Sequence, residues 1–112
     1  MLTSLYQNNP DEDITVYVLH TSLTAENFQE LSAQAGPFGN RVVSLPVPLH
    51  YVEQMPQLER WPLILYARCM AVELLPPDMD RVLSLDVDLI VRKPLRALYD
   101  TPMDDAYVVA CE

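Results

Sequence analysis

The sequence predicts an α/β domain with a mostly parallel sheet. Short β-branched, apolar runs alternate with segments of helical period, no Gly- or Ser-rich linker or internal repeat interrupts them, and half of the 112 residues are hydrophobic. The runs also lack a polar side, as strands do when helices cover both faces of a sheet.

Leu2, Leu5 and Tyr6 stand at helical spacing, and Asn8-Asn9-Pro10 ends the segment, so it reads as the tail of a helix rather than a natural beginning. Asp11-Glu12-Asp13 is a solvated turn. Ile14 to Leu19 is β-branched and aromatic, apolar on both faces, and reads as a buried parallel strand. Thr24 is a good N-cap for the next helix, with Glu26 favourable in the first turn. Phe28, Leu31 and Ala35 form its apolar stripe, and Gly36 with Pro37 stops it. Arg41 to Leu45 is a second strand, and Pro46 and Pro48 then open a loop that runs to about Trp61. Pro62 suits a first helical turn, and Leu63 to Leu75 continues as a helix that is apolar nearly all round, packed on several sides, and closed by Pro76-Pro77. Arg81 to Leu85 is a third strand, which Leu89-Ile90-Val91 extends or follows with another. Pro94 opens one helical turn through Tyr99, and Ala106 to Ala110 is a last strand.

Charge narrows the partners. Sixteen acidic groups against seven basic ones give a formal charge of −9, which disfavours a nucleic acid because phosphate backbones need a basic patch. A phosphate-bearing small molecule stays open, since a divalent cation can bridge carboxylates to phosphates. Cys69 and Cys111 are far apart in apolar surroundings, with no disulfide framework or zinc spacing. No apolar run is long enough for a membrane span, and the first nine residues have no signal-peptide pattern. A cytoplasmic location follows, with any membrane contact peripheral.

Asp86 and Asp88 stand out chemically. They interrupt Val82-Leu83-Ser84-Leu85 and are followed at once by Leu89-Ile90-Val91. Carboxylates two residues apart on extended chain share a face. Near buried surface, such a like-charged pair calls for a metal ion or an arginine. The end of a strand at the carboxyl edge of an open α/β sheet is also where ligands bind. Taken alone, the triplet is as readily a solvated turn.

Its surroundings decide more. Tyr66-Ala67-Arg68, Leu74-Leu75-Pro76 and Asp80 through Asp88 together resemble the signature of family 8 glycosyltransferases, in which a Tyr-x-Arg helix precedes an apolar strand ending in Asp-x-Asp. The likeness continues through Ile90-Val91, Pro94-Leu95, Leu98-Tyr99-Asp100 and the run from Ala106 to Cys111. Backwards it takes in Asn9-Pro10-Asp11, Ile14 to Leu19, and the helix with Glu26-Asn27. Ser84 and Cys69 depart from the family's usual aromatic residue and leucine; Cys69 is expected to act as a small buried hydrophobe.

The resemblance implies a partial Rossmann-like, GT-A-type nucleotide-sugar-binding domain over residues 1–112. It also implies a retaining transferase that moves a hexose from a UDP-sugar to a glycan, lipopolysaccharide or protein acceptor, with Mn2+ or Mg2+. By the same resemblance Asp86 and Asp88 are the metal ligands, while Asp86 and Arg68 meet the donor's sugar and phosphates. A guanidinium suits that role because it stays charged and grips phosphate bidentately; otherwise Arg68 would pair with Glu73 or Asp80. His20 and His50 match no family ligand and read as loop histidines. Trp61 reads as packing on the helix.

The likeness starts inside the family's first helix. It implies a strand and a uridine-binding loop upstream, and an acceptor region with a histidine metal ligand downstream. The isolated chain is therefore expected to be marginal or to self-associate, and to transfer no sugar. Two rivals remain. One is a haloacid-dehalogenase-type phosphatase, with Asp86 as nucleophile and Asp88 as acid/base, although Leu89 and Ile90 do not suit its tight loop. The other is a degenerate, non-catalytic module of the same fold.

Overall fold

The computed structural model of the protein describes residues 1–48, 50 and 68–110. They fall into two compact units, one made of Met1–Pro10 with Arg81–Glu112, the other of Asp11–Asp80.

In the second unit, strand β1 (Thr15–His20) pairs in parallel with β2 (Arg41–Pro46), Val16 opposite Val42 and Leu19 opposite Leu45. Helix α2 (Ala25–Ala35) is the crossover between them. The predicted strands are thus present and parallel, each reaching one residue further at its carboxyl end. Asn40 prepares the pairing: its Oδ1 accepts the Ile14 N–H at 2.9 Å, and the Arg41 N–H then donates to the Ile14 carbonyl at 3.0 Å. Thr24 caps α2 as expected, its Oγ1 accepting from the Asn27 N–H at 3.3 Å while Asn27 Oδ1 accepts the Thr24 N–H at 2.9 Å. Such a reciprocal box is worth about 1 kcal/mol. Ala35 is buried, with Phe28 and Leu31 half-buried on the same stripe.

The α-helix stops at Gly36 as expected, and a tighter turn follows. Gly36 is right-handed, at φ −54°, and opens a 3-10 turn over Gly36–Phe38 in which Pro37 sits comfortably. The chain reverses at Gly39, at φ 72°, where a side chain would be strained. Of the long helix expected from Leu63, residues 63–67 lie outside the described residues. Arg68 and Cys69 are helical, and α3 (Ala71–Leu74) follows. Cys69 is exposed, so it is not the buried hydrophobe expected, while Arg68 and Glu73, the segment's charged positions, are exposed as well.

In the first unit, helix α1 (Leu2–Asn8) buries Leu5 and Tyr6, with Val91 buried in the same unit. A single helical turn, α4 (Arg96–Tyr99), lies where Pro94 placed one. Arg81 caps its carboxyl end, Nη1 donating to the Tyr99 carbonyl at 2.7 Å and the Thr101 carbonyl at 3.2 Å, with the guanidinium 5.8 Å from the Tyr99 ring centre. A cation there meets the negative end of the helix.

Three predicted strands are corrected. Residues 81–85, 89–91 and 106–110 form no ladder; among the described residues the sheet has two strands. Arg81 to Leu85 keeps the alternation of a strand, with Arg81, Leu83 and Leu85 half-buried and Val82 and Ser84 exposed. A strand, however, is defined by a neighbour that takes its N–H and C=O groups, and none of the described residues fills that place. Tyr107 and Val108 are largely exposed for the same reason.

Candidate functional site

The apolar run from Arg81 ends in a turn at Val87–Asp88. The turn carries Asp86 and Asp88 together, with Val87 between them 84% exposed. Both aspartates are exposed, which corrects the expected setting near buried surface. Leu85 and Leu89 on either side are half-buried and anchor the turn. After it runs an open groove of about 540 Å³, bounded by Leu85, Leu89, Ile90 and Val91 and by the cations Arg92 and Lys93.

Arg68 belongs to the other compact unit, in helical backbone with its side chain exposed; the neighbouring Tyr66 and Ala67 lie outside the described residues. Within its own unit the structure places Asp86 and Asp88 at one turn, on either side of Val87. His20 is not the loop residue expected. It closes β1, its Nδ1 accepts the Leu23 N–H at 3.2 Å, its Nε2 lies 2.7 Å from Ser44 Oγ, and its ring packs on Phe28 with centroids 4.9 Å apart. Those contacts make His20 the junction between the sheet's carboxyl edge and α2. His50 is exposed.

Carboxylate oxygens are hard donors suited to Mg2+ or Mn2+. The pair fits such an ion as part of a ligand set, not as the whole of it: no group of three or more His, Cys, Asp or Glu among the described residues could hold a metal. Water and a ligand's phosphate oxygens are the natural complement.

Sequence reasoning missed what holds this turn's downstream side. Ser4 and Asn8 of the first helix, and Asn9 just after it, hydrogen-bond the backbone of Val91 and Leu95. The only trace in the sequence is a pair of asparagines before Pro10, which reads simply as a helix end.

The profile of glycosyl transferase family 8 matches residues 1–112, the whole chain. The chain belongs to that family. A lipopolysaccharide 1,2-glucosyltransferase of Escherichia coli is 23% identical over 106 residues, which is 95% of this chain and 31% of that protein. The chain thus spans about a third of the length of the curated relative it matches. No solved structure matches it significantly. A small α/β unit with a parallel strand pair is consistent with part of a family 8 domain. Family 8 membership also leaves the phosphatase reading of Asp86 without support. No helix among the described residues is long and apolar enough to cross a membrane.

Proposed function

We propose that the chain carries the donor-binding part of a family 8 hexosyltransferase that uses a UDP-sugar and glycosylates a glycan, with lipopolysaccharide the favoured acceptor. The observation that carries this reading is the placement of Asp86 and Asp88 on one exposed turn, in a chain matched by the family from end to end. Asp86 and Asp88 are this chain's ligands to a Mn2+ or Mg2+ ion, and Asp86 and Arg68 engage the donor's sugar and phosphates. When bound, the ion supplies charge neutralisation for the departing diphosphate. The protein's own part is to hold two oxygens within reach and to offer the phosphates a guanidinium that stays charged. The acceptor preference rests on the Escherichia coli relative, whose name specifies lipopolysaccharide and glucose. The reaction is proposed for the cytoplasm. The chain by itself is proposed to bind donor without transferring sugar.

Calorimetry with UDP and manganese tests this. Binding that needs both components, disappears in Asp88→Ala and weakens at least tenfold in Arg68→Ala supports the site. Loss of one charge-assisted contact costs about 1.5–3 kcal/mol, which sets that scale. If the folded chain binds neither alone nor in combination, it is a non-catalytic module that keeps the family's fold.

A further inference from the structure

The acidic turn is exposed at all three of its positions, 86 to 88, so burial of its own side chains does not place it. Its flanks do. Three residues downstream of Asp88, Val91 is 5% exposed and has both backbone polar groups taken by side chains of α1. Its N–H donates to Ser4 Oγ at 2.9 Å, and its carbonyl accepts from Asn8 Nδ2 at 2.8 Å. Four residues on, the Leu95 N–H donates to Asn9 Oδ1 at 2.8 Å. A residue that gives its N–H and C=O to one neighbour is held as a strand residue is held by a ladder. Here the i, i+4 spacing of Ser4 and Asn8 on one helical face supplies the neighbour.

The row is itself fixed. Ser4 Oγ donates to the Met1 carbonyl at 2.7 Å, Asn8 Nδ2 also donates to the Ser4 carbonyl at 2.9 Å, and Asn9 Nδ2 donates to the Leu5 carbonyl at 2.9 Å. These bonds satisfy carbonyls of the helix and at the same time set which atoms face residues 91 and 95. Three residues of extended chain span roughly 10 Å at most, so a shift of Val91 passes to Asp88 with little slack.

We infer that Ser4 and Asn8 are positioning residues for the Asp86–Asp88 turn, acting through Val91. The inference deepens the proposed donor site and rests on that reading for its functional meaning. Amide NMR on the 112-residue chain tests it, using Ser4→Ala, Ser4→Thr and Asn8→Asp and titrating UDP with manganese. In Ser4→Ala and Asn8→Asp, hydrogen exchange at Val91 should accelerate about tenfold, as for one lost hydrogen bond. The Val87 and Asp88 resonances should move while those of β1 and α2 stay, and the UDP–manganese affinity should fall several-fold. Ser4→Thr keeps the hydroxyl and should restore all three readings. Faster exchange at Val91 with unmoved Val87 and Asp88 resonances would overturn the inference, leaving α1 a purely structural support. Should Asn8→Asp unfold the unit, the contrast between Ser4→Ala and Ser4→Thr decides. If the wild-type chain binds no UDP–manganese at all, the donor-site reading fails while the resonance shifts still judge the positioning role.

Discussion

Replacing Tyr6 with alanine should unfold one unit of the chain and spare the other. Tyr6 is fully buried, and with Leu5 and Val91 it forms the apolar centre of the unit built from Met1–Pro10 and the segment from Arg81. Truncating a buried aromatic ring costs about 3–5 kcal/mol, transfer and cavity together. A unit of roughly forty residues, at about 0.1 kcal/mol per residue, holds only about 4 kcal/mol. The loss therefore matches the whole stability of the unit. The hydrogen bonds that report on it are Val91 N–H to Ser4 and Leu95 N–H to Asn9. Those on the other side are the β1–β2 ladder and the Asn27 cap. Native-state hydrogen exchange should show the first pair exchanging at nearly the unfolded rate in Tyr6→Ala, with the second set changed by less than a factor of about three. Equal loss of protection in both sets would refute the reasoning, because it would mean that the two units open as one. Unchanged protection everywhere would refute the assigned energy.

Burial also raises the Tyr6 phenol above its ordinary value of 10.0. A raised value means that the folded unit keeps this proton more tightly than the unfolded chain. Its stabilising contribution is complete below pH 10 and is lost as the pH climbs through the raised value. Denaturant midpoints followed from pH 8 to 11 should therefore fall at the alkaline end, and Tyr6→Phe should flatten that fall; an equal slope in both proteins counts against it. For His20, an Nδ1 that accepts from the Leu23 N–H places the proton of the neutral ring on Nε2, which donates to Ser44. Nitrogen-15 shifts should show the Nε2–H form at pH 8, and the Nδ1–H form would contradict the junction described.

Legibility followed the range of the interactions. Thr24, Glu26 and the stripe of Phe28, Leu31 and Ala35 were readable because a helix start is decided within one turn. The two paired strands were readable because β-branched runs joined by a helical crossover have one economical arrangement. Arg81 to Leu85 has the same local character and forms no ladder, since pairing depends on a neighbour that the run itself cannot specify. The helix stop at Gly36 was readable, whereas the tight turn over Gly36–Phe38, which Pro37 suits and which leaves Gly39 to take the left-handed backbone, was not. Asp86 and Asp88 were legible as a pair, and their exposure was not, because flanking apolar residues indicate burial of the flanks only. The bonds from Ser4 and Asn8 to Val91 cross more than eighty positions and leave no periodic trace.

The exposure of the acidic pair bears on how a donor could be held. In water, two charges about 4 Å apart interact by only about 1 kcal/mol, whereas a dry site would multiply that several-fold. Two solvated carboxylates can therefore stand side by side at little cost, and for the same reason attract a cation only weakly. Affinity must come from oxygens added by the ligand, which complete the coordination shell and displace water as they do so. A donor and a divalent ion would then each bind poorly alone and well together, so their coupling, rather than either affinity, is the physical signature of the site. That coupling requires the two carboxylates to be presented in one fixed relation before the ligand arrives, because ordering a loose turn would consume the gain. A turn anchored by Leu85 and Leu89, with Val91 bonded on both sides by the first helix, meets that requirement without burying the charges it displays.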